Sequence, residues 1–205
     1  NNTRWYNTAI GSEALQANTI GDLNSAFGSK ALVNNSTGER NTAAGAFALY
    51  SNTTGSSNTA QGFQSLGGNG SYNTAMGDQA LKWNQTASSN TAMGASAMIF
   101  VEGPHNTGIG TNALYSTMNA QFNTALGFNA CANFESGWNN TAIGAEADIS
   151  FNGQYNAIAI GNLAKSTDNS RVRIGNSSNF SYEAFANWTT ISDGHYKKNI
   201  KENVA

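Results

Sequence analysis

The sequence predicts an all-β fold, a flattened parallel β-solenoid of about ten 17-residue coils, on three observations. Eleven glycines form a ladder, Gly11, Gly28, Gly45, Gly62, Gly77, Gly94, Gly110, Gly127, Gly144, Gly161 and Gly175, spaced mostly by 17 residues with steps of 14, 15 and 16. The first nine close a five-residue phrase such as NTAIG (Asn7 to Gly11), NSAFG (Asn24 to Gly28) or NTALG (Asn123 to Gly127). Around each glycine the residue types alternate with period two, which is the signature of a strand.

Within a coil the first element is the strand before the glycine. The residue preceding it is Ile10, Phe27, Ala44, Gln61, Met76, Met93, Ile109, Leu126, Ile143, Ile160 or Ile174, and two residues earlier stands Thr or Ser, replaced by Ile158 and Val172 in the last two copies. These two columns share one face, and the Asn column and the mostly alanine column share the other. The second element is the turn at the glycine, which calls for positive φ or close backbone approach. The third is a small column three residues later (Ala14, Ala31, Ala48 and equivalents), usually followed by Leu, Met or Cys, read as a second short strand. A variable Gly/Ser/Asn turn closes the coil. So thin a coil buries little apolar area, so coils must stack; strand spacing gives a rod of roughly 50 Å, with an asparagine ladder along it.

The face bearing the Thr and aliphatic columns would be an exposed apolar stripe on a lone roll, and such stripes find partners. Ile10, Phe27, Met76, Met93, Ile109, Leu126, Ile143, Ile158, Ile160, Val172 and Ile174 are therefore expected at a chain-to-chain interface. A stripe repeated around an axis suits a closed cyclic assembly of copies of the chain, and among such assemblies three thin rolls, which would enclose a dry seam, are favoured without being singled out by the stripe alone.

Composition bounds the remainder. Apolar residues make up 39% and are largely alanine, charged residues 11%, and net charge is −2, so no basic face for nucleic acid exists. No apolar run reaches the length of a membrane span and no charged-then-apolar leader occurs; the piece reads as excised from something longer. Cys131, the single cysteine, sits in a column of Leu and Met and reads as a core hydrophobe. His105 and His195 stand in no zinc spacing, the carboxylates are scattered through different repeats, and no metal or cofactor is expected. Six of the ten Lys and Arg residues lie from Lys165 onward, marking a boundary: residues 1–175 form the repeat domain and 176–190 a connecting segment. Aromatic residues cluster at the turns, and Trp83, Phe134 and Trp138 are the candidates for contact with a receptor, either a cell-surface glycan or a protein.

The phrases NTAIGSEAL (Asn7 to Leu15), NTAMGDQAL (Asn73 to Leu81) and NAIAIGNLA (Asn156 to Ala164) resemble the head repeats of trimeric autotransporter adhesins. The resemblance covers residues 7–175 and implies a left-handed β-roll assembled as a homotrimer; it departs in coil length, the extra residues enlarging turns such as SNTTGSS (Ser51 to Ser57) and ANFESGW (Ala132 to Trp138). At the other end, ISDGHYKKNIKENV (Ile191 to Val204) resembles the opening of the endosialidase-type intramolecular chaperones found downstream of phage tail spikes and fibres, so 191–205 reads as the start of such a region. That family trimerises its client and then cuts itself off. The resemblance maps its motif onto Ser192, Asp193 and Lys197, with Ser192 as nucleophile and Lys197 as base; His195 stands where arginine is common. Together the two imply an extracellular fibre segment, in a phage or injection-system tail fibre or on a bacterial surface, that attaches to a host and turns over no substrate apart from autocleavage. The threonine column offers one alternative, an ice-binding solenoid.

Overall fold

The computed structural model describes residues 6–178. Those residues form a parallel β-solenoid of about ten turns and, among them, no helix. The strands in chain order are β1 (Thr8–Ile10), β2 (Ser25–Phe27), β3 (Thr42–Ala44), β4 (Thr59–Gln61), β5 (Thr74–Met76), β6 (Thr91–Met93), β7 (Phe100–Val101), β8 (Thr107–Ile109) and β9 (Ser116–Thr117). They continue as β10 (Asn119–Gln121), β11 (Thr124–Leu126), β12 (Ser136–Trp138), β13 (Thr141–Ile143), β14 (Asp148–Ile149), β15 (Gln154–Tyr155), β16 (Ile158–Ile160), β17 (Lys165–Ser166) and β18 (Val172–Ile174).

One strand from every coil joins a single 11-stranded sheet, ordered β1-β2-β3-β4-β5-β6-β8-β11-β13-β16-β18. Register never slips: Thr8 faces Ser25, Ser25 faces Thr42, and the glycine-flanking columns stay aligned to Ile160 opposite Ile174. The glycines hold that register. Gly127 has φ +140°, and a Cβ there would lie 2.3 Å from the carbonyl oxygen of Gly144, so the site requires both the left-handed backbone and the missing side chain.

The opposite side of the roll differs from the expected second strand per repeat. Only past residue 100 do additional strands occur, in the sheets β7-β9, β10-β12-β15 and β14-β17. From Gly11 to Gly127 every coil places left-handed residues two and four positions after the glycine, for example Lys30 (φ 57°) and Leu32 (φ 52°), Phe47 (φ 59°) and Leu49 (φ 53°), or Asn112 (φ 56°) and Leu114 (φ 49°), and the additional strands begin only beyond them. Alternating left-handed residues break extended pairing and turn the leucine inward.

The core is correspondingly thin. The central strand alanines Ala26, Ala43, Ala60 and Ala75 are fully buried, as are the post-glycine alanines from Ala31 onward and the column Leu32, Leu49, Leu66, Leu81, Met98 and Leu114. Cys131 continues that column, and burial in this apolar setting, reinforced by the Asp148 charge, pushes its thiol pKa far above the ordinary range. In β18, the last strand among the described residues, the exposed Arg173 takes the place of the alanine, opposite Ala159.

Asparagine supplies the buried polar frame. Each Asn of the repeat phrase, from Asn7 to Asn140, accepts at Oδ1 from the backbone N–H at the same place in the next coil, at 2.8–3.0 Å. Its Nδ2 donates to a carbonyl of that next coil at 2.7–3.0 Å. The ladder is thus mainly side chain to backbone, with direct amide-to-amide links added only from Asn123 to Asn106 and from Asn140 to Asn123. A second buried column, seven residues after the glycine, forms a true amide ladder in which Asn35 donates to Asn18 and Asn52 to Asn35.

Candidate functional site

The strand pattern decides which surface is available. In β2, β4, β5, β6 and β11 the central alanine is buried and the flanking residues are exposed or half-buried, so the Thr and aliphatic columns lie on the outer face of the sheet and outside the roll's own core. Ile10 and Val172 are each 60% exposed at the two ends. Phe27, Met76, Met93, Leu126, Ile160 and Ile174 are also exposed, and Ile109, Ile143 and Ile158 are half-buried. The perfect register sets these side chains one strand spacing apart, about 4.8 Å, in a straight file. The file is interrupted at Ala44 and Gln61 and is richest from Met76 to Ile174. Its alignment suits packing against an identical file, and scattered surface apolar residues do not have that order.

The turns place the receptor candidates differently from one another. Trp83 is 48% exposed, with the Lys82 ammonium 5.3 Å from its ring centroid. Trp138 is exposed and stacks on Tyr155, centroids 5.2 Å apart and planes within 9°. Phe134 is corrected: it is 1% exposed and fills the inner corner column that holds Asn18, Asn35 and Asn52 in earlier coils, so its ring has no face to offer a receptor. A Cβ at Gly137 would sit 2.3 Å from Phe134 Cζ, so the glycine makes room for the ring. The loop SNTTGSS likewise sends Asn52 inward.

Among the described residues, no three of His, Cys, Asp and Glu converge as metal ligands, and no helix is long and apolar enough to cross a membrane. His105 stacks on Phe122 at 4.8 Å, a packing role. Ser192, Asp193 and Lys197, with the whole of 191–205, lie outside the described residues.

No protein-family model matches this chain, and no curated protein matches it. Among solved structures it is similar to the collagen-binding domain of the Yersinia adhesin YadA, with 22% identity over 92% of each chain and a TM-score of 0.54. At that identity the likeness is one of fold, a parallel β-solenoid.

Proposed function

We propose that this chain is a homotrimeric β-roll segment of an extracellular fibre with an adhesive role, the aligned apolar file of each roll packing against two further copies. The observation that carries the reading is the file itself: aliphatic side chains in unbroken register from Met76 to Ile174 on the outer face of the sheet. The YadA fold likeness supports the surface-adhesin form. The tail-fibre form draws on the C-terminal resemblance, with cleavage beside Ser192 releasing the chaperone region. In both, the stacked coils provide reach and the turns provide contact with a host-surface partner.

Native mass measurement on the purified chain tests the assembly. Three chains per particle are expected, and Ile158→Asp together with Ile160→Asp should dissociate them. A stable monomer at micromolar concentration would overturn the seam. Cleavage is tested separately in the full-length gene product, where Ser192→Ala should leave the chain uncut.

A further inference from the structure

The glycine step from Gly62 to Gly77 is 15 residues, two short of the usual coil, and the missing residues come from the turn on the far side of the strand. In the coil before it the fifth and sixth positions after the glycine are Tyr50 and Ser51; in the coil after it they are Lys82 and Trp83; between them stand Gly67 and Gly68. The glycine pair is enforced by contact. A Cβ on Gly67 would lie 2.2 Å from the Lys82 carbonyl oxygen, and one on Gly68 1.8 Å from that of Asn84. Backbone hydrogen bonds from Leu66 to Ala80 and from Asn69 to Gln85, both 2.8 Å, seat the short coil directly on the next one. The backbone of the next coil fills both Cβ positions, so the short coil presents no side chain from Gly67 or Gly68 in the wall of the roll, between Tyr50 of the coil before and Trp83 of the coil after.

At this place lies a cleft of about 430 Å³ lined by Phe47, Tyr50, Gln64, Asn69, Lys82, Trp83 and Gln85 among others. Tyr50 is 40% exposed and is held by Phe47, centroids 5.6 Å apart, while Phe63 braces Phe47 edge-on at 6.0 Å. The walls thus carry two aromatic rings, Tyr50 from the coil before and Trp83 from the coil after, the latter beside the Lys82 ammonium, which also donates to Gln79 Oε1 at 3.4 Å. The polar groups between them are the amides Gln64, Asn69 and Gln85, and the only charge in the lining is Lys82; no lining residue is acidic. This combination is selective on a chain whose net charge is −2. The larger groove near the other end, lined by Asn112, Tyr115, Glu146, Asp148 and Lys165 among others, has no such character, since it carries two carboxylates against one lysine.

We propose that the notch at the short coil binds an acidic saccharide, a sugar ring bearing a carboxylate or sulfate. The ring would take the place of the absent side-chain layer, its C–H face against Trp83 or Tyr50, its hydroxyls on the amides, and its anionic group on the Lys82 ammonium. The inference deepens the adhesive reading above by naming a ligand class, but the notch is complete in one chain and does not require the seam.

The test uses the whole chain on an array of uronic-acid, sialic-acid, sulfated and neutral oligosaccharides, followed by titration with the best-retained one. Acidic saccharides should be retained over neutral ones of the same length, the array arms separating carboxylate from sulfate. Trp83→Ala should weaken the titrated affinity at least tenfold. Lys82→Gln should abolish the preference for the acidic over the neutral sugar while leaving circular dichroism and native mass unchanged. Retention of neutral saccharides alone, retention of none, affinity indifferent to Trp83→Ala, or competition only by aromatic peptides would each overturn the proposal. A trimer that binds no acidic sugar removes the notch alone, whereas a monomer that binds it removes the seam alone.

Discussion

Replacing Gly108 by alanine should destabilise the roll, and the penalty should largely vanish when Met98 is replaced by leucine. Gly108 occupies the central strand column, paired with Ala92 on one side and Ala125 on the other, where most other coils carry alanine. Its φ lies outside the left-handed region, so alanine fits the backbone. Space is the obstacle: an added Cβ would lie 2.7 Å from Met98 Cγ, 3.0 Å from Met98 Sδ and 3.1 Å from the Ala113 carbonyl oxygen. Met98 is fully buried and stands in a column otherwise mostly leucine, so the longer thioether has taken the volume that a methyl group fills elsewhere.

Overpacking a buried site costs about 1–3 kcal/mol. Removing a glycine from the unfolded chain returns about 0.4–1 kcal/mol. Gly108→Ala alone should therefore cost about 1–2 kcal/mol, a fall in Tm of roughly 2–8 °C for a chain of this size. Met98→Leu alone leaves a small void and should cost under about 1.5 kcal/mol. The double variant restores the pattern of the neighbouring coils, so a double-mutant cycle in urea, at one fixed protein concentration, should give a coupling of about 1–2 kcal/mol in favour of the pair. Additivity within about 0.5 kcal/mol would refute the exchange of volume between the two columns.

Cys131 should resist alkylation in the folded chain at pH 8 and react at once in denaturant, as followed by mass spectrometry. Because burial raises its folded pKa, its contribution to stability is full below the ordinary thiol value of 9.0 and declines as pH rises above it, so urea midpoints should fall in that alkaline window in the wild type and less in Cys131→Ala. Asn41→Ala strands the Asn58 N–H, which the Asn41 Oδ1 accepts at 3.0 Å, while the Gly55 carbonyl loses the Asn41 amide at 2.8 Å but keeps that of Asn52 at 3.0 Å; stability should fall by about 1–3 kcal/mol in chemical denaturation. Asn84→Val should cost less than Asn35→Val in the same assay, because Asn84 Oδ1 is buried without a partner whereas the Asn35 amide is bonded on both sides. If the proposed seam forms, thermal midpoints should rise with protein concentration, and a midpoint constant over a hundredfold dilution would count against it.

What could be read from sequence is whatever recurs at a fixed offset from the glycine. The alanine, Asn and outer-face columns do so in nearly every coil, and their inward or outward placement follows from strand alternation alone. The far side does not announce itself. Its left-handed turns are made by residues such as Lys30, Leu32, Phe47 and Leu49, none of which carries a turn signature, so a short strand was the natural expectation. The second asparagine ladder was hidden because its column passes through the variable loops and changes from Asn18, Asn35 and Asn52 to Val101, Thr117 and Phe134 along the chain. The orphaned oxygens mark those changes: Asn52 Oδ1 meets the short coil, where Asn69 bonds Thr53 instead, and Asn84 Oδ1 faces the coil that holds Val101. Phe134 is hidden for the same reason, an aromatic in a variable loop with no column to reveal that it points inward. The short glycine step is visible in the sequence, but the notch beside it depends on two adjacent coils contributing Tyr50 and Trp83 to its rims.

The same architecture explains why assembly and folding belong together in this reading. Left-handed conformations at non-glycine residues such as Lys30, Leu32 and Arg40 each cost about 1–2 kcal/mol, and they recur in coil after coil. Against them a typical coil buries two alanines and one leucine, and only the leucine supplies a sizeable apolar term, about 1.5–3 kcal/mol. The asparagine clips satisfy buried backbone groups, but a satisfied hydrogen bond adds only about 1 kcal/mol net over one made to water. The outer file is apolar area that a single roll leaves uncovered in aligned form, with Ile160, Leu126 and Met93 partly wet. Covering it would add stabilisation once per coil, in step with the repeated backbone cost, which is why the seam is placed on that face and why the coils richest in isoleucine, from Ile143 to Ile174, are its expected anchor.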